Sequence, residues 1–342
     1  MNRIKFCILF VIVLLAITCG EKVQETATKN RFLISVDRQY GFIDRTGNVV
    51  IRPQFESAYD FSENMACVKI DGKKGFIDTT GEFVIEPQFD GASNFSEGLA
   101  AVRINRKRGY IDKTGEVVIE PQFDYAFPFS DGLAMVWIGD SGLDKNTEGK
   151  TGYIDKTGSY VIEPQFKGIQ ESFSEGLALV RVDGKCGYVD KTGQFAIPPR
   201  FLGGMNFSEG LAAVTIDGPW VYIDKTGEVV IESHSFEFSW CCEGLVVIGD
   251  EKKGYMDKSG EIVIDPQLER AQMFSEGLAA VKINGKWGYI DKTGKIIIEP
   301  QFDYGVHPFI GGLAQVNIGY GGVDFKWGYI DRTGKYVYEP TR

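Results

Sequence analysis

The chain has 342 residues, with 37 basic and 47 acidic side chains and a formal charge of −10. An acidic surface repels phosphate backbones, and no basic stretch interleaved with aromatics offsets it, so nucleic acid is not an expected partner. Apolar residues make up 43% of the chain, enough for a buried core, and the 42 glycines fall at regular positions that mark turns rather than disorder.

The first segment differs from the rest. Arg3 and Lys5 precede an apolar run over residues 6–17, which is too short to span a bilayer and has the layout of an export signal. The run ends in Leu15-Ala-Ile-Thr-Cys19, which resembles a bacterial lipoprotein signal and implies lipidation of Cys19. Residues 1–18 are therefore expected to be a signal peptide, and residues 19–30 a polar, flexible tether. Cleavage would remove Arg3 and Lys5, leaving 35 bases against 47 acids and a charge of about −12. The expected location is outside the cytoplasm, in the cell envelope, with the membrane reached only through the lipid.

From residue 31 to 342 one phrase recurs: glycine, an aromatic, an apolar residue, Asp, any residue, Thr or Ser, then glycine. It starts at Gly41, Gly75, Gly109, Gly152, Gly187, Gly254, Gly288 and Gly328, and once at Val221 in place of glycine. A period of about 34 residues is the mark of a repeat architecture, in which each unit buries its apolar face against its neighbours. The third unit shows the expected elements in order. Leu99-Ala-Ala-Val-Arg-Ile104 reads as a strand, Asn105-Arg-Lys-Arg108 as a turn, and Gly109-Tyr-Ile111 as a second strand. Asp112-Lys-Thr-Gly115 follows as a tight turn, with the Asp side chain accepting backbone donors and the glycine taking positive φ. Val117-Val-Ile119 is a third strand, uniformly apolar and so expected to be covered on both faces, and Pro121 should end it. The same turn is expected at Asp44 and Gly47, Asp78 and Gly81, Asp155 and Gly158, Asp190 and Gly193, Asp224 and Gly227, Asp257 and Gly260, Asp291 and Gly294, and Asp331 and Gly334.

Connectors carrying Phe-Ser-Glu-Gly, as at Phe95 and Phe173, should plug the gap between units. The expected fold is all-β: about nine three-stranded meanders in tandem. The units begin and end in phase, with no strand exchanged between termini, and nine exceeds the usual propeller. An open, twisted array is therefore favoured, with a closed propeller-like ring as the alternative.

Lys286-Trp-Gly-Tyr-Ile-Asp-Lys-Thr-Gly294, Lys326-Trp-Gly-Tyr-Ile-Asp-Arg-Thr-Gly334 and the Ile-Glu-Pro-Gln-Phe segments resemble the bacterial WG-containing (KWG) repeat family. The resemblance covers nearly all of the expected mature chain. It implies an all-β repeat protein, often exported, with no established catalytic residues. The tryptophan of the phrase stands only at Trp287 and Trp327; other units hold Lys74, Arg108, Thr151 or Cys186 there.

Few residues suggest chemistry. Asp144, Asn146 and Glu148 alternate in the insertion of the fourth unit, with Gly149 sixth, in the manner of a calcium loop; a solvated hairpin tip is the competing reading. Gly139-Asp-Ser-Gly142 lacks a positioned base, since His234 and His307 lie in connectors of other units. The adjacent Cys241 and Cys242 do not have zinc-ligand spacing. The many acids recur with the repeat, whereas a glycosidase needs two carboxylates in distinct environments. No catalytic residue or cofactor is expected, calcium excepted.

The functional expectation is a non-enzymatic, exported surface that binds protein or polysaccharide. The insertions at residues 139–149 and 319–324, and Tyr110, Tyr153 and Tyr289 if exposed, would be the contacts. A structural envelope component is the alternative, followed by a glycan-acting enzyme, for which only the connector around Trp240 gives a hint.

Overall fold

The computed structural model describes residues 30–139, 149–167, 170–235, 238–317 and 327–339. Within them there is no helix; the strands form nine small antiparallel sheets, each hydrogen-bonded in chain order. The Asp turns form as the sequence suggests. Asp112 Oδ1 accepts from the Thr114 hydroxyl at 2.6 Å and from the amides of Thr114 and Glu116, while Gly115 has φ 90°. The aspartates of the other units, Asp44, Asp78, Asp155, Asp190, Asp224, Asp257, Asp291 and Asp331, accept from the Thr or Ser two residues on in the same way. Their glycines also take positive φ: 88° at Gly47, 95° at Gly81, 86° at Gly158, 83° at Gly193, 87° at Gly227, 89° at Gly260, 84° at Gly294 and 83° at Gly334.

The third sheet comprises Gly91–Ala92, Ala100–Ile104, Lys107–Ile111 and Val117–Phe123. The connector is thus more than a plug. It contributes a short first strand to the following sheet, and Ser96 pairs with Leu99 across a Glu97-Gly98 turn.

The last strand also departs from expectation. It runs through Pro121 instead of stopping there, and Arg108 pairs with Phe123 while Tyr110 pairs with Ile119. Glu120, Pro121 and Gln122 therefore face the single residue Gly109, whose missing Cβ would lie 2.3 Å from the Ile119 carbonyl oxygen. That close approach explains the glycine of the phrase. In the sixth unit Val221 pairs instead with Glu232, and the strand reads Val229-Val-Ile-Glu-Ser-His-Ser235, with no proline. Val117 and Val118 are exposed and only Ile119 is buried, so this strand is a free outer edge, which the proline keeps from pairing with another chain.

The nine sheets close into a ring. The Phe32 and Tyr329 rings meet at 5.6 Å, and the Tyr329 hydroxyl donates to the Leu33 carbonyl at 2.7 Å. Phe32, Ile34, Ile43, Leu313 and Tyr329 form one buried cluster, joining the first sheet to the last. The structure is therefore a nine-bladed propeller, not an open array. In-phase termini permit closure because the ninth blade offers the first blade the same type of surface that every blade offers its successor. The core is correspondingly divided: one cluster joins Phe76, Ile85 and Phe89 of blade two to Phe95, Val102 and Ile111 of blade three.

The ring corrects the purely local reading of the turn glycines. A Cβ on Gly81 would lie 3.1 Å from Ile51 of the preceding blade, and one on Gly158, Gly193 or Gly227 would lie 3.1, 3.3 or 3.0 Å from Ile119, Ile162 or Ile197. At Gly47 the crowding comes across the seam, from the Val337 carbonyl of blade nine. Only the turn itself calls for glycine at Gly260, where a Cβ would meet nothing within 4 Å. Most of these glycines thus serve both the turn and the approach of the neighbouring blade.

Three polar contacts repeat from blade to blade. A tyrosine of the third strand donates to the next blade's connector, as Tyr110 does to the Phe127 carbonyl at 2.8 Å. A serine hydroxyl does the same, as Ser96 to Phe129 at 2.7 Å. The Glu97 carboxylate accepts from the Gly132 amide at 3.0 Å and pairs with Lys156 at 3.1 Å. Glu97 has φ 52°, a left-handed conformation that Gly or Asn adopts more easily. An acidic residue occupies this strained place because its carboxylate reaches the neighbouring blade, as Asp131 also does when it accepts from the Gly176 amide.

Replacing Glu97 by Asn, which suits the turn, should therefore lower unfolding stability by about 1–2 kcal/mol in urea titration, the scale of charge-assisted hydrogen bonds lost. Glu209 makes the same clasp. Burial pushes its carboxyl up, but Lys258 and the amides of Gly244 and Glu243 outweigh this and leave it below the usual range. The turn aspartates are likewise lowered, foremost by the hydrogen bond from Thr114 at Asp112. Groups depressed in the folded state stabilise it above their unfolded values and lose that contribution as pH falls through the folded ones. Melting temperature should accordingly hold from neutral pH to about 5 and fall steeply below about 4, as followed by circular dichroism.

Candidate functional site

Consecutive blades are tied together through their short first strands, while their last strands splay outward with exposed valines and isoleucines. The first strands thus stand nearest the ring axis. Two positions before the phenylalanine of the connector, Tyr59, Glu171 and His307 are exposed, whereas Ser93, Phe127, Met205 and Gln272 at the same place are half-buried. Burial raises the Glu171 carboxyl, and burial lowers the His307 imidazole against a smaller opposing pull from Asp60. His307 also stands edge-on to Trp327, ring centres 4.9 Å apart.

Blades seven to nine enclose a cleft of about 400 Å³ lined by Phe238, Trp240, Val247, Met273, His307 and Pro308 among others. Its cause is visible in the connector of blade seven. Cys241 occupies the buried slot that phenylalanine fills in most units, so Tyr222 lacks the edge contact that Tyr188 makes with Phe207 at 4.9 Å. Phe238 packs instead on Trp220 at 4.7 Å and on Trp240 at 6.0 Å. The cleft has the size of ligand pockets, about 300–1,000 Å³, and a mainly apolar lining with few polar groups.

The thiol beside it has no nucleophilic character. Burial and then the nearby Glu209 push Cys241 up to about 12, and burial pushes Cys67 up to about 11. Lys253, at the cleft wall, is buried and donates to the Gly249 carbonyl at 2.7 Å.

The other sequence candidates distribute as follows. Tyr110, Tyr153 and Tyr289 are fully buried and serve the blade contacts, so they offer nothing to a partner. The turn pairs, from Asp44 and Gly47 to Asp331 and Gly334, are engaged within their own turns and do not line this cleft. Cys19, the candidate calcium ligands Asp144, Asn146 and Glu148, and most of the two insertions lie outside the described residues. Among those described, no cluster of three or more His, Cys, Asp or Glu could hold a metal ion. The connector at Trp240 was legible as a departure from the repeat. The companions Met273 and Pro308 were not, because each is unremarkable within its own unit and meets Trp240 only when the ring is formed.

A family model described as WG containing repeat matches residues 40–73, 75–107, 109–140, 152–186, 187–220, 254–287, 287–320 and 327–341. The chain belongs to this family. The unmatched span between residues 220 and 254 is the WG unit with Val221 and the Trp240 connector, so the cleft borders the most divergent repeat. No curated protein matches the sequence. Similar solved structures include apo AztD from Citrobacter koseri, at 14% identity and TM-score 0.41 over 78% of this chain and 93% of that one. Another is Kluyveromyces lactis Hsv2p, at 10% identity and TM-score 0.38 over 79% of this chain and 94% of that one. The extracellular domain of the putative hybrid two component system BT4673 from B. thetaiotaomicron aligns at 12% identity and TM-score 0.37, over 91% and 54% of the two chains.

Proposed function

We propose that the protein is a non-enzymatic binding ring that holds an apolar side chain of a protein partner in the cleft of blades seven to nine. The cleft itself carries this reading. Phe238, Trp240, Met273 and Pro308 form a concave apolar surface where the repeat would otherwise place a regular connector. Aromatic and methionine side chains are the residues that dominate such contacts. Export and lipidation at Cys19 would place the ring on an envelope membrane, tethered by residues 19–30. A non-catalytic role agrees with the suppressed thiols and with carboxylates already engaged in turns and clasps.

Peptides displayed on phage should select apolar anchors on the wild-type ring, and Trp240→Ala should weaken the selected peptides by about tenfold or more, the scale of an interface hot spot. Calorimetric titration measures this, alongside a melting curve to show that the ring persists. Selection of identical peptides by wild type and Trp240→Ala would remove the cleft from consideration. In cells, Cys19→Ser should shift the protein from the membrane to the soluble fraction on immunoblotting, and an unchanged distribution would rule out the lipid anchor.

A further inference from the structure

A separate surface, on the opposite arc of the ring from the cleft, is assembled from matching positions of three consecutive blades. In blade two Ser57 pairs with Lys69, and Lys69 with Lys74. In blade three Gly91 pairs with Arg103, and Arg103 with Arg108. In blade four Tyr125 pairs with Trp137. Two cation and aromatic pairs result: Lys74 Nζ lies 4.1 Å from the Tyr59 ring centre, and the Arg108 guanidinium 5.7 Å from that of Tyr125. Tyr125 in turn packs on Trp137 at 5.3 Å.

The nearby acids are already engaged. Glu56 pairs with Lys69, Asp90 with Lys73 and Asp124 with Lys107. Lys74, Arg106 and Arg108 have no carboxylate partner among the described residues, whereas Arg103 donates to the Asp90 backbone carbonyl at 3.1 Å and attracts the Asp90 carboxylate. Arg108 is the informative member. It fills the slot that Trp287 and Trp327 fill elsewhere, is half-buried, and its guanidinium makes no hydrogen bond among the described residues. Burial, and then the adjacent Arg103, disfavour its charge. A fork of guanidinium donors held against a ring and lacking an acceptor is suited to a carboxylate. Tyr59 and Tyr125 remain 44% and 38% exposed, offering ring faces beside the two cations.

We propose that this arc binds an acidic polysaccharide, with a uronic-acid carboxylate on Arg108 and sugar rings against Tyr125 and Tyr59. The cations give a local attraction for anions on an otherwise acidic molecule, and the planar fork favours carboxylate geometry. The site stands on different residues from the cleft, so either can fail alone.

The test is calorimetric titration of the full chain with galacturonate and mannuronate oligomers, the methyl ester of the galacturonate oligomer, and oligothymidine of equal length. The expected result is binding of at least one acidic oligomer and none of the ester, with affinity falling as NaCl rises from about 50 to about 200 mM. Arg108→Gln should weaken it by about tenfold or more, and Lys335→Gln on blade nine should leave it unchanged. Melting curves verify folding, and Tyr59→Leu, at an exposed ring, supplies a second variant with the same expected direction. Failure of both acidic oligomers to bind, equal binding of acid and ester, tighter binding of oligothymidine, or unchanged affinity in folded Arg108→Gln would each overturn the proposal.

Discussion

The ring depends on one recurrent handover: along most of the chain each blade fastens the segment that enters the next, a short first strand in blades two, three, six and eight. That strand is only two paired residues long in blades two and three, too short to hold its place by ladder hydrogen bonds alone. Its position comes from the preceding blade, through a buried tyrosine hydroxyl, a serine hydroxyl and the carboxylate of a strained Glu-Gly turn. Of these groups the tyrosine is desolvated, so leaving its bond unmade would cost more than the made bond contributes. The polar contacts therefore act chiefly to fix where blades sit, while apolar clusters shared between neighbours supply most of the stabilisation.

Most of the local structure was legible because it depends on residues close in sequence. The Asp turn is complete within five residues, from Asp112 to Glu116, so its periodic recurrence was enough to identify it. The second demand on its glycine was hidden, since the isoleucine that crowds Gly81 or Gly158 belongs to the blade before. The outer strand was misread because three consecutive apolar residues look the same whether covered on both faces or standing at an edge; Val117 and Val118 proved to be at the edge. Pro121 was read as a terminator, although the strand accommodates it by bulging over Gly109. Ring closure depends on the contact between Phe32 and Tyr329, nearly the whole chain apart, and no local pattern encodes the angle between blades. The burial of Tyr110, Tyr153 and Tyr289 followed from the same missing information, since their hydroxyls are satisfied by the next blade.

The two surfaces of interest arise where this scheme is relaxed. In the blade-seven connector, Cys241 gives up the volume of a phenylalanine ring and the aromatics beside it rearrange around Trp240. At Arg108 the change is of charge rather than volume, since a guanidinium takes the place of an indole. A repeat scaffold tolerates both because its stability is spread over many similar interfaces, and a departure in one leaves the others intact. The first was visible as a broken motif. The second was concealed, since one arginine in a segment rich in basic residues, read as a turn but lying in the strand Lys107–Ile111, is ordinary until its neighbours from blades two and four are placed beside it.

Closure at the contact of Phe32 with Tyr329 makes the point at which the polypeptide begins a matter of covalent order and not of packing. The seam keeps a tyrosine-to-carbonyl bond and a shared apolar cluster, although the acceptor Leu33 lies in the strand Phe32–Val36 and Ile310-Gly311 stand where other blades have the serine and acidic clasps. The ring has no end units, so no blade must present a polar cap to solvent in the manner of an open solenoid. Residues 30 and 339 both belong to blades that meet there, and joining them while cutting a different connector would give a permuted chain with the same nine interfaces. Topologically the protein is a circle in which the linear sequence happens to be interrupted once.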